Sequence, residues 1–332
     1  MSSIVYIFFE YIQYMKKILV TGGAGFIGSH VCEFLLKNNF CVKAFDNLST
    51  GNKNNIQHLL KNKNFEFVYG DICNLENIRK VCKDIDLICN LAAIPSVPRS
   101  IEDPLTSHNA NVNGFFNILL VAKEMNIKRI VYASSSSVYG DNAVLPKKEE
   151  NIGNQMSPYA LNKYIDELYG KLFGKLYGLE TIGLRFFNVF GPRQDPLSPY
   201  SSVISKFITN SINNVQSTIN GNGDYSRDFT YVDNVVHFIY LSLTTNNEKC
   251  YGSVYNVGCG DNITILELYK TINDILKSNM DPLIGTVRKG DVPHSCADIS
   301  KGQYDLGYSV QKTFKEGIRE TIEWYKTNHN NI

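Results

Sequence analysis

The stretch TGGAGFIGS, Thr21 to Ser29, sets Gly22, Gly25 and Gly28 at intervals of three between an apolar run, KKILV, and a helical pattern, GFIGSHVCEFLLKNN. A glycine triplet alone marks little more than a tight turn. Between a strand and a helix it lets the backbone approach a pyrophosphate, whose charge then meets the free N–H groups and partial positive charge of the helix N-terminus. The arrangement therefore predicts a dinucleotide-binding turn opening a sheet. Asp46 closes the next strand, in AFDNLST, eighteen residues after Gly28. There a carboxylate accepts hydrogen bonds from a ribose diol and repels a 2′-phosphate, which favours NAD over NADP.

The rest of the first half keeps the same alternation. CVKAFD, FEFVYGD, IDLICNLAA, RIVYASS and TIGLRFFNV read as strands, with a long helix from about Pro104 to Met125 and another opening on SPYALNKY. Strands this apolar, separated by helices, imply a parallel sheet covered on both faces, the doubly wound α/β architecture. No internal repeat or low-complexity linker interrupts the pattern.

Composition closes off other classes. The 332 residues can bury a full core, and 33 basic against 32 acidic side chains leave a net charge of +1, with nothing to suggest a nucleic-acid or membrane-surface protein. Eight scattered cysteines without a C-x-x-C pair read as reduced, mostly buried cytosolic thiols rather than disulfides or a metal site. The leader MSSIVYIFFEYIQY lacks a basic start and a small-residue cleavage site, so it reads as a misassigned start or surface extension, not a signal peptide. It is too short to span a bilayer.

SPYALNKY holds a tyrosine and a lysine four residues apart, Tyr159 and Lys163. On a helix they share a face and reach one ligand. Together with the Gly22, Gly25 and Gly28 turn, GDI at Gly70 to Ile72, NLAA at Asn90 to Ala93 and ASSSSVYGD, this pair makes the chain from Met15 onward resemble the extended short-chain dehydrogenase/reductase family. SVPRSIEDP, EENIG, GLRFFNVFGPRQDP, INGNGDYSRDF and GDVPHS are similar, within that family, to the UDP-N-acetylglucosamine 4-epimerases that supply galactosamine sugars for surface polysaccharides.

The resemblance implies roles. Tyr159 is the acid/base, Lys163 its electrostatic partner and ribose ligand, and Ser135 holds the substrate oxygen. A free phenol is a poor base at neutral pH, but a lysine and the charged nicotinamide ring nearby each favour the phenolate by roughly 3 kcal/mol at an effective dielectric of about 20. NAD contacts are expected from Gly22, Gly25, Phe26, Ile27, Gly28, Asp46, Asn47, Asp71, Ile72, Leu91, Ala92, Ala93, Tyr159 and Lys163. Ser136 and Ser137 stand where the related 4,6-dehydratases carry an aspartate and a glutamate. A serine hydroxyl cannot supply that general-acid work at neutral pH, so oxidation and re-reduction of one carbon is the expected reaction, with NAD remaining bound.

The resemblance also divides the chain. Residues 15–189, with 231–258 returning, form an NAD-binding Rossmann domain, and 190–230 with 259–328 form a smaller α/β nucleotide-sugar domain. Substrate contacts are expected from Ser96, Ser135, Ser136, Asn188, Arg227, Arg288, Asp291 and Ser295, with no metal. Serine at 295, where relatives confined to unacetylated sugars carry a tyrosine, leaves room for an acetamido group. A cytoplasmic homodimer is implied, built on the two long helices. A UDP-glucuronate epimerase or decarboxylase, and a non-catalytic NAD-binding module, remain open alternatives.

Overall fold

The computed structural model describes residues 15–196, 202–286 and 293–328. Its first strands are β1 (Lys17–Thr21), β2 (Cys41–Asp46), β3 (Phe65–Tyr69), β4 (Leu87–Asn90), β5 (Arg129–Ser135) and β6 (Glu180–Phe186). With Ser253–Val257 they make a seven-stranded sheet in the order 253–257, β6, β5, β4, β1, β2, β3. Every pairing within it is parallel.

Side-chain alternation fills two cores. Ile18, Val20 and Val131 point to one face, while Leu19, Ile130 and Tyr132 point to the other, the period of two expected of a strand. Helix α1 (Phe26–Lys37) lies on the first face with the helix Val232–Thr244. The second face carries α2 (Leu75–Val81), α5 (Gly114–Glu124) and α6 (Pro158–Tyr177). Strand order reverses between β1 and β4, and in open α/β sheets a ligand binds beyond the carboxyl ends of the strands at such a switch point.

One predicted element is broken. The run from Pro104 to Met125 is not one regular helix but α4 (Pro104–His108), a π-helical turn at Asn109–Asn113, and α5. Buried Asn111 sits in that turn, accepting the Ile94 N–H at 2.9 Å and donating to the Ile94 carbonyl at 3.3 Å, so an inserted residue locks the helix to the loop after β4. Preceding it, α3 (Val97–Glu102) is capped by the Ser96 hydroxyl, which accepts the Arg99 N–H at 3.1 Å.

Helix α6 carries its boundaries in its sequence. Ser157 caps it by accepting the Ala160 N–H at 3.1 Å, Pro158 occupies the first turn, and Gly178 ends it in the left-handed conformation at φ 72°, each at its favoured position. The cysteines are all unpaired, but fewer are sequestered than the sequence suggests. Cys32, Cys82, Cys89 and Cys250 are buried, whereas Cys73 is exposed. Among the described residues no helix is long and apolar enough to cross a membrane, and no cluster of three or more His, Cys, Asp or Glu is arranged to hold a metal ion.

Candidate active site

At the switch point lies a cavity of about 600 Å³, within the range of small-molecule sites. The glycine turn forms its floor. Gly22 has φ 67° and accepts the Gly25 N–H at 3.0 Å, and a β-carbon on Gly22 would meet the Ala92 nitrogen at 2.8 Å. Gly28 packs directly over the Gly22 carbonyl. The backbone of this turn is therefore bare, and the N-terminus of α1 opens toward the cavity.

At one end Asp46 is buried, its carboxylate accepting the Leu48 N–H at 2.7 Å and the Ala24 N–H at 3.0 Å. Burial pushes its pKa above the usual carboxylate range, against the pull of those two amides. Asn47 donates to Asp71 at 3.0 Å, and Asp71 also accepts the Cys73 N–H at 2.7 Å. Desolvation raises the Asp71 pKa, but the Cys73 and Asn47 bonds together outweigh it and leave the carboxyl below its ordinary range.

Helix α6 brings the tyrosine and lysine to the other end. Tyr159 and Lys163 are buried, and the Tyr159 N–H is accepted by the Ser100 hydroxyl at 3.1 Å. Lys163 Nζ donates to the Ala133 carbonyl at 3.0 Å and to Asp166 Oδ2 at 3.2 Å. Ser135 ends β5, its hydroxyl accepting the Ser137 N–H at 3.1 Å and so capping the short 3₁₀ turn that follows. Beside it Ser134 donates to Glu167, which also takes two bonds of 2.8 Å from the Arg185 guanidinium.

All fourteen residues expected to contact NAD line this cavity, and so does Ser135. The residues expected on the substrate side are placed differently. Ser96 faces the N-terminus of α3, and Ser136 sits in the 3₁₀ turn beyond Ser135. Asn188, at φ 33°, donates to the Asp228 carbonyl at 3.0 Å. Arg227 donates to the carbonyls of Ser226 at 2.9 Å and Pro293 at 3.0 Å, and the Ser295 N–H bonds to the Ser226 carbonyl at 3.1 Å. These last three gather around the segment 226–230, outside the cavity lining. Arg288 and Asp291 lie outside the described residues.

Sequence reasoning missed Ser100, Asp166, Glu167 and Arg185. The first stands 59 residues from Tyr159, and nothing local marks it. The carboxylates Asp166 and Glu167 fall one turn after Lys163 on the same helix, a spacing that does flag them as its neighbours. Arg99 and Lys163 are the cations among the described residues that line the cavity.

Known proteins resemble this chain over nearly its whole length. The family model described as GDP-mannose 4,6 dehydratase matches residues 19–321. A curated relative from Methanocaldococcus jannaschii, named a putative UDP-glucose 4-epimerase, is 39% identical over 94% of this chain and 99% of its own. Two solved structures superpose over nearly the whole chain. One is a UDP-N-acetylglucosamine 4-epimerase from Methanobrevibacter ruminantium in complex with UDP-N-acetylmuramic acid, 39% identical with a TM-score of 0.88, covering 95% of this chain and 99% of that one. The other is a UDP-glucuronic acid 4-epimerase from Bacillus cereus in complex with UDP-glucuronic acid and NAD, 31% identical with a TM-score of 0.87, covering 94% and 99%. The glycine turn, the Tyr159 and Lys163 pair and a family match running through almost the entire fold converge, and the chain belongs to the GDP-mannose 4,6 dehydratase family of extended short-chain dehydrogenase/reductases.

Proposed function

We propose that this protein is an NAD-dependent 4-epimerase of UDP-sugars, with UDP-N-acetylglucosamine and UDP-N-acetylgalactosamine as its substrate pair. One observation carries the reaction type: Tyr159, Lys163 and Ser135 share a cavity with the glycine turn, while the two positions after Ser135 are serines without a carboxylate. The name of the family suggests dehydration, but that reaction needs an acid where Ser136 and Ser137 stand.

The residues present fit NAD. The bare turn at Gly22 to Gly28 would hold its pyrophosphate at the start of α1, Asp46 would accept bonds from a ribose diol, and Lys163 has an N–H left beyond its bonds to Ala133 and Asp166. When bound, NAD supplies a redox-active ring that accepts and returns the two electrons of a C–H bond. Tyr159 takes the proton from the substrate 4-hydroxyl and gives it back to the same oxygen. Ser135 holds that oxygen by its hydroxyl, and Lys163 favours the ionised phenol. A proton taken and returned at one atom leaves no net change, as an isomerisation requires.

The N-acetyl assignment rests on the serine at 295 and on likeness to the Methanobrevibacter epimerase. Arg99 in the cavity wall favours a second reading, in which an anionic sugar such as a UDP-uronate is the substrate. A homodimer is also proposed. Along α6, Leu161, Leu168, Leu172 and Leu176 form one stripe left 45–58% exposed, an apolar seam suited to a second copy of the helix.

The deciding assay incubates the purified enzyme with UDP-glucose, UDP-N-acetylglucosamine and UDP-glucuronate side by side and identifies the products. Turnover fastest on the N-acetylated sugar, without NADH release, supports the proposal. A requirement for stoichiometric added NAD overturns the epimerase reading, and turnover of glucuronate alone overturns the substrate. Tyr159→Phe is expected to abolish turnover while retaining bound NAD.

A further inference from the structure

Behind Lys163 lies a carboxylate that the proposed reaction does not use. Asp166 is one turn further along α6, 1% exposed, with Oδ2 at 3.2 Å from Lys163 Nζ. Its other oxygen, Oδ1, has no hydrogen-bond partner among the described residues. The adjacent Glu167 is fully satisfied by contrast, by Arg185 on β6 and Ser134 on β5. Asp166 is thus a buried acid whose single bonded partner among the described residues is the lysine beside Tyr159.

We propose that Asp166 is a positioning residue for Lys163, orienting its ammonium and offsetting part of its charge, and thereby sets how strongly Lys163 favours the ionised Tyr159 phenol. The proposal rests on the reading of Tyr159 and Lys163 given above and deepens it. A lysine whose charge is partly offset, on the same helical face as the phenol, lets one group both take and return the proton.

The surroundings support a role near neutral pH. Burial pushes Asp166 up to about 7, against the downward pull of Lys163, with Glu167 adding to the rise. The other group acting on it is Tyr132 on β5, itself pushed well above its ordinary range by burial and then by Glu167 and Asp166, while Arg185 on β6 pairs with Glu167 instead. On α4, His108 turns instead to Asn162 at 3.3 Å.

Two variants separate orientation from charge. Asp166→Asn keeps an acceptor for Lys163 and removes the charge, whereas Asp166→Ala removes both. For Asp166→Asn, the acid limb of the kcat/KM profile is expected about one unit lower in pH. A tyrosinate absorbance, expected in wild type and absent from Tyr159→Phe, should move with it, a readout independent of turnover. Asp166→Ala should show that shift and also lose kcat about 10-fold, because Lys163 is then held only by the Ala133 carbonyl. Unchanged limb and absorbance in Asp166→Asn, with circular dichroism confirming a folded protein, would overturn the proposal, as would a shift to higher pH. Loss of the tyrosinate signal's dependence on Tyr159 would overturn the underlying reading instead.

Discussion

The carbonyl oxygen of Gly22 and the Cα of Gly28 leave no room for a β-carbon between them. The turn and α1 meet backbone to backbone, which is what opens the helix N-terminus to a pyrophosphate. In Gly28→Ala the turn must move, so bound NAD per chain is expected to fall severalfold, with Tm lowered by several degrees. Full NAD content by absorbance after heat release would show that the turn is not the pyrophosphate site.

Ser295 is half-buried beside Arg227, tied by its N–H to the Ser226 carbonyl. A tyrosine there is expected to overpack the space beside carbon 2 of an N-acetylated sugar. Ser295→Tyr should lower kcat/KM for UDP-N-acetylglucosamine by about 10- to 150-fold and spare UDP-glucose. Equal losses on both sugars, or none, would remove Ser295 as the gate.

The pH dependence of stability follows from Asp166. Its folded pKa, about 7, lies above that of an unfolded aspartate, so between about pH 4 and pH 7 the folded state binds the extra proton. Stability from this group is therefore present at low pH and lost as pH rises through that window. Asp166→Asn should raise Tm relative to wild type more at pH 8 than at pH 5. A constant difference across that range would contradict the assignment.

Asp228 is fully buried, and its carboxylate accepts the N–H groups of Cys259 and Gly260 at 2.9 Å and of Ala297 at 3.1 Å. It ties the loop after the strand 253–257 to the segment carrying Ser295. In Asp228→Asn one amide N–H₂ must face a donor, costing about 1–3 kcal/mol. Denaturant melts should report that loss, and kcat/KM should fall with it because the segment carrying Ser295 borders the proposed sugar site.

Leu168→Glu with Leu172→Glu places charges in the exposed stripe of α6. Light scattering is expected to give a dimer for the native protein and a monomer for the variant at micromolar concentration. A native monomer would eliminate the proposed seam.

What could be read in advance was local. Gly22 to Gly28 and Tyr159 to Lys163 each occupy a few consecutive residues, so a turn or one helical face places them without knowledge of the rest. The strand RIVYASS appears as β5 with the same ends because apolar β-branched residues run between charged and polar boundaries. The break at Asn109 escaped because it depends on Asn111 reaching Ile94, a contact across 17 residues. Ser100 and Arg185 escaped for the same reason: each acquires its partner only when separate strands and helices meet.

The strand 253–257 pairs with β6, some seventy residues before it, and the helix Val232–Thr244 covers the core beside it. During synthesis on the ribosome β6 emerges long before its neighbour, and until residue 257 clears the exit tunnel its outer row of amides and carbonyls has nothing to bind. The nascent chain thus carries an open sheet edge through the translation of this whole segment, and slow codons or chaperone capture within residues 187–257 would bear directly on yield.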